Sequence, residues 1–408
     1  MHRKTQKSFS KYRVYSISMM RLLTYVQTGI ICAGIIFGLT VMYVYDKDPY
    51  EVVQRLASSV QPEVEPFDYV YLPEYYKLDL IHSYHANVES IDDFYEWKNN
   101  PDGVLESYKA RPTTHDVPAM NAELVSSNDR QSDGGAYVLN RYTAPALSYH
   151  EDMVFYELIP GNKTGNSAIL VIPGSGHTGA ADVLGEDNWP FSAYNYHDEI
   201  AKHLVGHGYT VYTLELAGFG ERAVDVGSLC RPGDPMCSYR ALSDKLSNYG
   251  VNISAIHTDE ITRVLKHIES KQFDSIAAMG LSYGAGLATS QAIINGDVVD
   301  VLVAASGIGS PLKSPINQNH GASCMCGDVT YDTVDSILTI APKPMYVSFG
   351  LKETHGFRWH AEDPYFYNML LDAYSMHNKA ENLEYVVFDG AHWYDVDSAT
   401  AFLKKHLE

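Results

Sequence analysis

At 408 residues, with 45% hydrophobic and 20% charged residues, the chain carries enough apolar material for a large globular core, which excludes disorder throughout. Its 30 Lys and Arg against 50 Asp and Glu give a formal charge of −20. A surface of that sign repels phosphate backbones, so nucleic acid is not an expected partner.

Residues 1–21 hold Arg3, Lys4, Lys7, Lys11, Arg13 and Arg21 and no acid. Residues 22–45, LLTYVQTGIICAGIIFGLTVMYVY, then run without a charge. At about 1.5 Å per residue such a helix crosses a hydrocarbon core of about 30 Å with some tilt, and Tyr25, Tyr43 and Tyr45 fall where interfacial aromatics belong. The expectation is a single-pass transmembrane anchor. A cleaved signal peptide is the competing reading, but its apolar region normally covers about 7 to 15 residues and ends at a small-x-small site, which does not follow directly here. The positive-inside rule then places the basic N-terminus in the cytoplasm and residues 46 onward on the extracytoplasmic side.

Residues 46–135 are rich in Tyr, Glu, Asp and Pro, and read as a linker followed by a packed N-terminal extension. From residue 136 to 408 the pattern becomes regular. AYVLNRYTAPAL and MVFYELIP alternate like antiparallel strands, whereas SAILVIPG is a continuous apolar run of the buried parallel type. A helix over HDEIAKHLVGHG, a strand YTVYTLEL and a helix over HTDEITRVLKHIES follow. In the last of these, Ile261, Val264, Leu265 and Ile268 form one apolar face. Strand FDSIAAMG, helix YGAGLATSQAII, strands VVDVLVAA, KPMYVSFG and LEYVVFDG, and a helix from Asp395 to Leu407 complete the order. Strands alternating with helices predict an α/β fold with a mostly parallel central sheet covered on both faces.

Two stretches, 221–250 and 306–335, interrupt the alternation just after strand ends, the edge where open α/β sheets bind ligands, and read as lid-like insertions. They hold Cys230, Cys237, Cys324 and Cys326; Cys32 lies in the apolar segment. Four cysteines in an oxidising compartment suggest disulfides with three possible connectivities. A zinc site on them is the weaker reading, because CxC is not the usual CxxC spacing. NKT at Asn162 and NIS at Asn252 are glycosylation acceptor sequences.

The chemistry gathers in GLSYGAG, where Ser282 sits between Gly280 and Gly284 at the turn from an apolar strand to a small-residue helix. There a nucleophile takes a strained backbone conformation, and the flanking glycines relieve crowding. A serine needs a base and the base an orienting acid, in the order Ser, acid, His along this kind of fold. His392, in FDGAHWY, follows the last strand and is the best base; His177, His355 and His360 have the wrong order or context. Glu353 is the first carboxylate after KPMYVSFG, with Asp363 in reserve. Oxyanion donors are expected from the amide of Tyr283 and from Ser175 or Gly176 in PGSGHTG. That loop lacks the following Lys-Ser/Thr of a nucleotide-binding P-loop, so no cofactor is expected.

Through VIPGSGHTG, LELAGFGER, GLSYGAG, SFGLKE and FDGAHW the chain resembles the α/β-hydrolase superfamily over residues 136–408, nearest to its dienelactone hydrolase and acetyl xylan esterase-like serine esterases. The resemblance implies Ser282 as nucleophile, Glu353 as acid and His392 as base, and glycines 218 and 220 as shapers of the pocket floor. The chain departs from the pattern at Pro173-Gly174, where the family often has His-Gly, and at Glu353, where most members use Asp.

The expected function is a membrane-anchored carboxylic ester hydrolase acting on a small-molecule ester. Amide or peptide cleavage would use the same machinery, and a catalytically silent binding module would show a broken triad. Metal-dependent hydrolysis on His82 and His85 lacks a convincing third ligand, and no metal is expected.

Overall fold

The computed structural model describes residues 83–109, 120–146, 151–176, 179–186, 196–224, 236–309, 333–353 and 364–408. Residues 22–45, His82, His177, His355, His360, Asp363, Cys230, Cys324 and Cys326 lie outside these, as do 225–235 and 310–332 of the two insertions. Among the described residues no helix is long and apolar enough to cross a membrane.

The first described elements are short helices, α1 (Tyr84–Asn87), α2 (Ile91–Lys98) and α3 (Val104–Lys109). Ser90 opens α2 with its hydroxyl accepting from the Asp93 amide, a capping bond that satisfies one of the helix's free donors. The apolar side of these helices supplies Tyr84, Phe94, Trp97 and Val104, all buried in the same cluster as the sheet's residues. The extension is therefore part of the core.

The nine-stranded sheet is built from β1 (Glu123–Ser132), β2 (Gly135–Ala144), β3 (Met153–Pro160), β4 (Ser167–Ile172), β5 (Thr210–Leu214), β6 (Ser275–Leu281), β7 (Val301–Ala305), β8 (Met345–Gly350) and β9 (Leu383–Phe388). Their spatial order is β1-β2-β3-β5-β4-β6-β7-β8-β9. β1 to β3 are antiparallel and β3 runs antiparallel to β5; every later pairing is parallel. The mostly parallel sheet expected from the alternation is present, but it starts at Glu123, before the regular pattern. β1 reads ELVSSNDRQS and lies exposed at one edge, so it has no buried face to impose a period of two. The Asp133-Gly134 hairpin turn, with Gly135 at φ 124°, is the local signal for it.

The central strands are buried on both faces, and successive side chains alternate between two cores. Ala168, Leu170 and Ile172 of β4 pack in one core, and Ile169 and Val171 in the other. The second core also receives α4 (Ala180–Leu184), α5 (Ile200–Gly206) and, at the chain's end, α11 (Val396–Leu407). α5 begins later than its apolar pattern suggests, because Asp198 and Glu199 both hold left-handed φ values of 51°. The first core receives α6 (Cys237–Ser247), α7 (Ile253–Glu269), α8 (Tyr283–Ile294), α9 (Thr333–Leu338) and α10 (Pro364–Met376).

The chain leaves β4 toward β5 on one side and returns to β6 on the other, with Val171 and Ile172 paired to Met279 and Gly280. The loops leaving β4 and β6 therefore part at a topological switch point, where open parallel sheets form their ligand crevice.

Candidate active site

β6 ends at Leu281, α8 begins at Tyr283, and Ser282 alone makes the turn, at φ 59° and ψ −125°. A non-glycine residue in that region costs about 1–3 kcal/mol and persists only where its surroundings enforce it. Here the enforcement is visible. The Ser282 amide donates to the Ala305 carbonyl of β7 at 2.9 Å, and the Ser282 carbonyl accepts from Ala285 at 3.0 Å. A Cβ on Gly280 would stand 2.1 Å from the Gly284 carbonyl oxygen, and one on Gly284 would stand 2.2 Å from that of Ile172. Both glycines of the motif are thus fixed by backbone at closest approach.

Glu353 follows β8 and His392 follows β9, so both stand at the same carboxyl edge of the sheet as Ser282. Glu353 Oε1 and His392 Nδ1 share a short hydrogen bond, and both side chains are buried. A carboxylate can only accept, so Nδ1 carries the proton and Nε2 is left basic. Glu353, the first carboxylate after β8, thus reaches the imidazole, while the reserve candidate Asp363 lies outside the described residues.

Tyr283, the residue after the elbow, is pinned through its side chain. Its hydroxyl lies 3.0 Å from Ser254 Oγ and 2.8 Å from His257 Nδ1. The other nitrogen of that ring, Nε2, is 2.9 Å from the Ala217 carbonyl, which requires a proton there and makes the Tyr283 hydroxyl the donor to Nδ1. Burial pushes His257 down to about 3, so it stays neutral. Tyr283 also opens α8, where the leading amides have no acceptor within the helix.

The loop after β4 carries Ser175 and Gly176 beside the elbow: a Cβ on Gly174 would lie 2.8 Å from the Leu281 carbonyl oxygen. The Gly174 amide is engaged, donating to His197 Nε2 at 2.9 Å. The Tyr196 hydroxyl donates to the Ser175 carbonyl at 2.9 Å, and the Tyr196 ring lies 5.4 Å from that of His392. Sequence reasoning did not single out Tyr196 or His197, because no motif marks them and they follow the loop by some twenty residues.

Further along, the Ala180 amide donates to Glu215 Oε2 at 3.1 Å. Glu215 is fully buried; burial, aided by the nearby Asp182 charge, pushes its carboxyl up to about 8, against the opposing pull of backbone amides and Arg222. In the folded chain this carboxyl keeps its proton far above 4.5, its ordinary value, at which the unfolded chain releases it. The contribution of Glu215 to stability is therefore level at low pH and falls as pH rises through that interval, by about 1.4 kcal/mol per unit at most. Glu215→Gln removes the ionisation, and whatever its constant offset, its stability relative to wild type is expected to rise between pH 5 and pH 8. Urea midpoints of both proteins across that range check the slope, and parallel curves would refute it. No group of three His, Cys, Asp or Glu side chains suited to a metal ion occurs among the described residues.

The model of the alpha/beta hydrolase family matches residues 169–402, more than half of the chain. Solved structures similar to this fold include a putative acetyl xylan esterase from Bacteroides fragilis, at a TM-score of 0.56 and 16% identity over 83% of this chain and 82% of that one. A glucuronoyl esterase from Solibacter usitatus aligns at 0.54 and 12% identity, covering 81% and 97%. A CE15 glucuronoyl esterase from Teredinibacter turnerae aligns at 0.54 and 13%, covering 81% and 89%. No curated protein matches the sequence. With β4 to β9 in the order the fold requires, a serine elbow between β6 and α8, and the family match spanning both, the chain belongs to the alpha/beta hydrolase family.

Proposed function

We propose that this protein is a serine-dependent carboxylic ester hydrolase in which Ser282, His392 and Glu353 form the triad. The observation that carries the proposal is the buried Glu353–His392 pair at the same sheet edge as a serine held in the strained elbow conformation. An ordinary serine in a glycine-rich turn has no need of either. Ser282 Oγ attacks the ester carbonyl as His392 Nε2 takes its proton; the alcohol leaves with that proton, and an acyl-enzyme remains. Water then gives a proton to His392 and its oxygen to the acyl carbon, which releases the acid and restores the serine. The amides of Tyr283 and of Ser175 or Gly176 stabilise the oxyanion of each tetrahedral intermediate. Ester hydrolysis is the chemistry that the names of the similar solved structures share, which supports an ester over an amide substrate.

The proposal extends to location: the uncharged run at 22–45 behind a basic N-terminus supports a single-pass anchor that leaves the catalytic domain on the extracytoplasmic side. A fluorophosphonate probe on the full chain tests the chemistry. Wild type is expected to label covalently, and Ser282→Ala and His392→Ala are expected not to. A folded wild-type protein that never labels would overturn the triad.

A further inference from the structure

The loop between β4 and α4 has to hold its amides still, because an oxyanion site is effective only when its donors are aimed before the charge appears. Glycine-rich loops do not aim themselves. In PGSG, residues 173–176, the aim is imposed from outside by two consecutive side chains, Tyr196 and His197. His197 takes the amide of Gly174, which removes that donor from the crevice. Tyr196 takes the carbonyl of Ser175. In a planar trans peptide the carbonyl and the following N–H point in opposite directions, so fixing the Ser175 carbonyl against Tyr196 turns the Gly176 N–H away from the tyrosine hydroxyl.

The clamp is itself supported. With Nε2 accepting from Gly174, His197 must carry its proton on Nδ1, and that atom faces Asp182 Oδ2 at 3.7 Å. The side chains of Asp182 and His197 are both about 1% exposed, and neither oxygen of Asp182 has a hydrogen-bond partner among the described residues. The distance exceeds a hydrogen bond, but an unscreened carboxylate there favours the Nδ1–H tautomer that the clamp needs. The Tyr196 ring packs 4.3 Å from the His197 ring and 5.4 Å from that of His392, so one side chain touches both the clamp and the base. There is no slack: a Cβ on Gly174 would stand 2.4 Å from the Tyr196 hydroxyl oxygen.

We propose that Tyr196 and His197 are positioning residues that orient the oxyanion loop, with Gly176 N–H as the donor they present. The proposal rests on the serine-hydrolase reading above, and its test separates the two. Tyr196→Phe removes only the hydroxyl and keeps the ring against His392. With p-nitrophenyl acetate, kcat is expected to fall about tenfold to a hundredfold while KM stays within about twofold. Affinity for an alkylboronic acid, which mimics the tetrahedral intermediate, should fall in the same proportion, and Tm should stay within about 2 °C. His197→Ala is expected to lower kcat and boronate affinity likewise, with some loss of Tm from the buried cavity it leaves, and His197→Gln, whose amide oxygen can reach where Nε2 stood, to recover most of kcat. An active wild type with Tyr196→Phe at wild-type kcat and boronate affinity overturns this proposal alone. So does a kcat loss that follows Tm and is not recovered in His197→Gln. A wild type inert toward both ester and fluorophosphonate overturns the serine-hydrolase reading, and this proposal with it.

Discussion

Glutamine in place of Glu353 is expected to lower kcat by about four orders of magnitude while leaving KM and the fold in place. The expectation follows from what the carboxylate does at His392. As an obligate acceptor it holds the proton on Nδ1 and leaves the lone pair on Nε2, the atom proposed to take the Ser282 proton. A glutamine can turn its NH₂ toward Nδ1, and the imidazole then keeps its proton on Nε2, the tautomer that cannot act as base; the equivalent exchange in serine proteases costs about 10⁴ in kcat. The charge matters as well, because the imidazolium formed during attack is stabilised by a carboxylate that is itself buried. KM is expected to be spared because the buried Glu353 is bonded to His392, the proposed base. Steady-state ester hydrolysis by Glu353→Gln, beside Asp363→Asn, checks the assignment. Activity within tenfold of wild type in the first variant, with loss in the second, would transfer the role to Asp363.

The elbow was legible because it is local: an apolar strand, one serine and a run of small residues occupy consecutive positions, and the backbone they demand leaves them little choice. His392 and Glu353 were legible from order, since each follows a recognisable strand whose end must lie at the same edge. The supports around them were not. Tyr196 and His197 act on a loop some twenty residues earlier, and nothing in their own neighbourhood announces that they are buried. His257 stands in a long helix, α7, whose apolar periodicity explains its burial but not its bond to Tyr283. Glu215 lies inside LELAGFGER, where the glycines were read as a pocket floor. Gly220 has a further reason, closeness to the Glu215 carboxyl: a Cβ on it, as on Gly179 of the loop after β4, would fall 2.1 Å from Oε2. Such pairings depend on sheet order, and β1 shows the same limit for the fold, because a polar edge strand is defined by its partner and not by its own pattern.

Arg222→Met is expected to destabilise the protein by about 3–5 kcal/mol, and Arg222→Met with Glu260→Leu to recover most of that loss. The Arg222 guanidinium meets Glu260 through two parallel bonds, of 2.6 and 2.9 Å, and both residues are about 98% buried or more. Removing the cation alone strands a carboxylate in the core, whereas removing both leaves no unpaired charge and replaces them with apolar volume. The pair also fixes geometry, because Arg222 Nη1 donates to the Glu215 carbonyl at 3.1 Å and Glu260 belongs to α7. The end of β5, the turn at 220–222 and α7 are thereby tied together. Glu215, which extends from the end of β5 to the Ala180 amide, carries the tie to the far end of the loop between β4 and α4. The double variant should therefore regain stability more completely than it regains activity: urea midpoints near wild type, with kcat still reduced because the loop has lost one of its fixed points. A double variant no more stable than Arg222→Met would show that the arginine's backbone bond, and not the ion pair, holds this corner of the core.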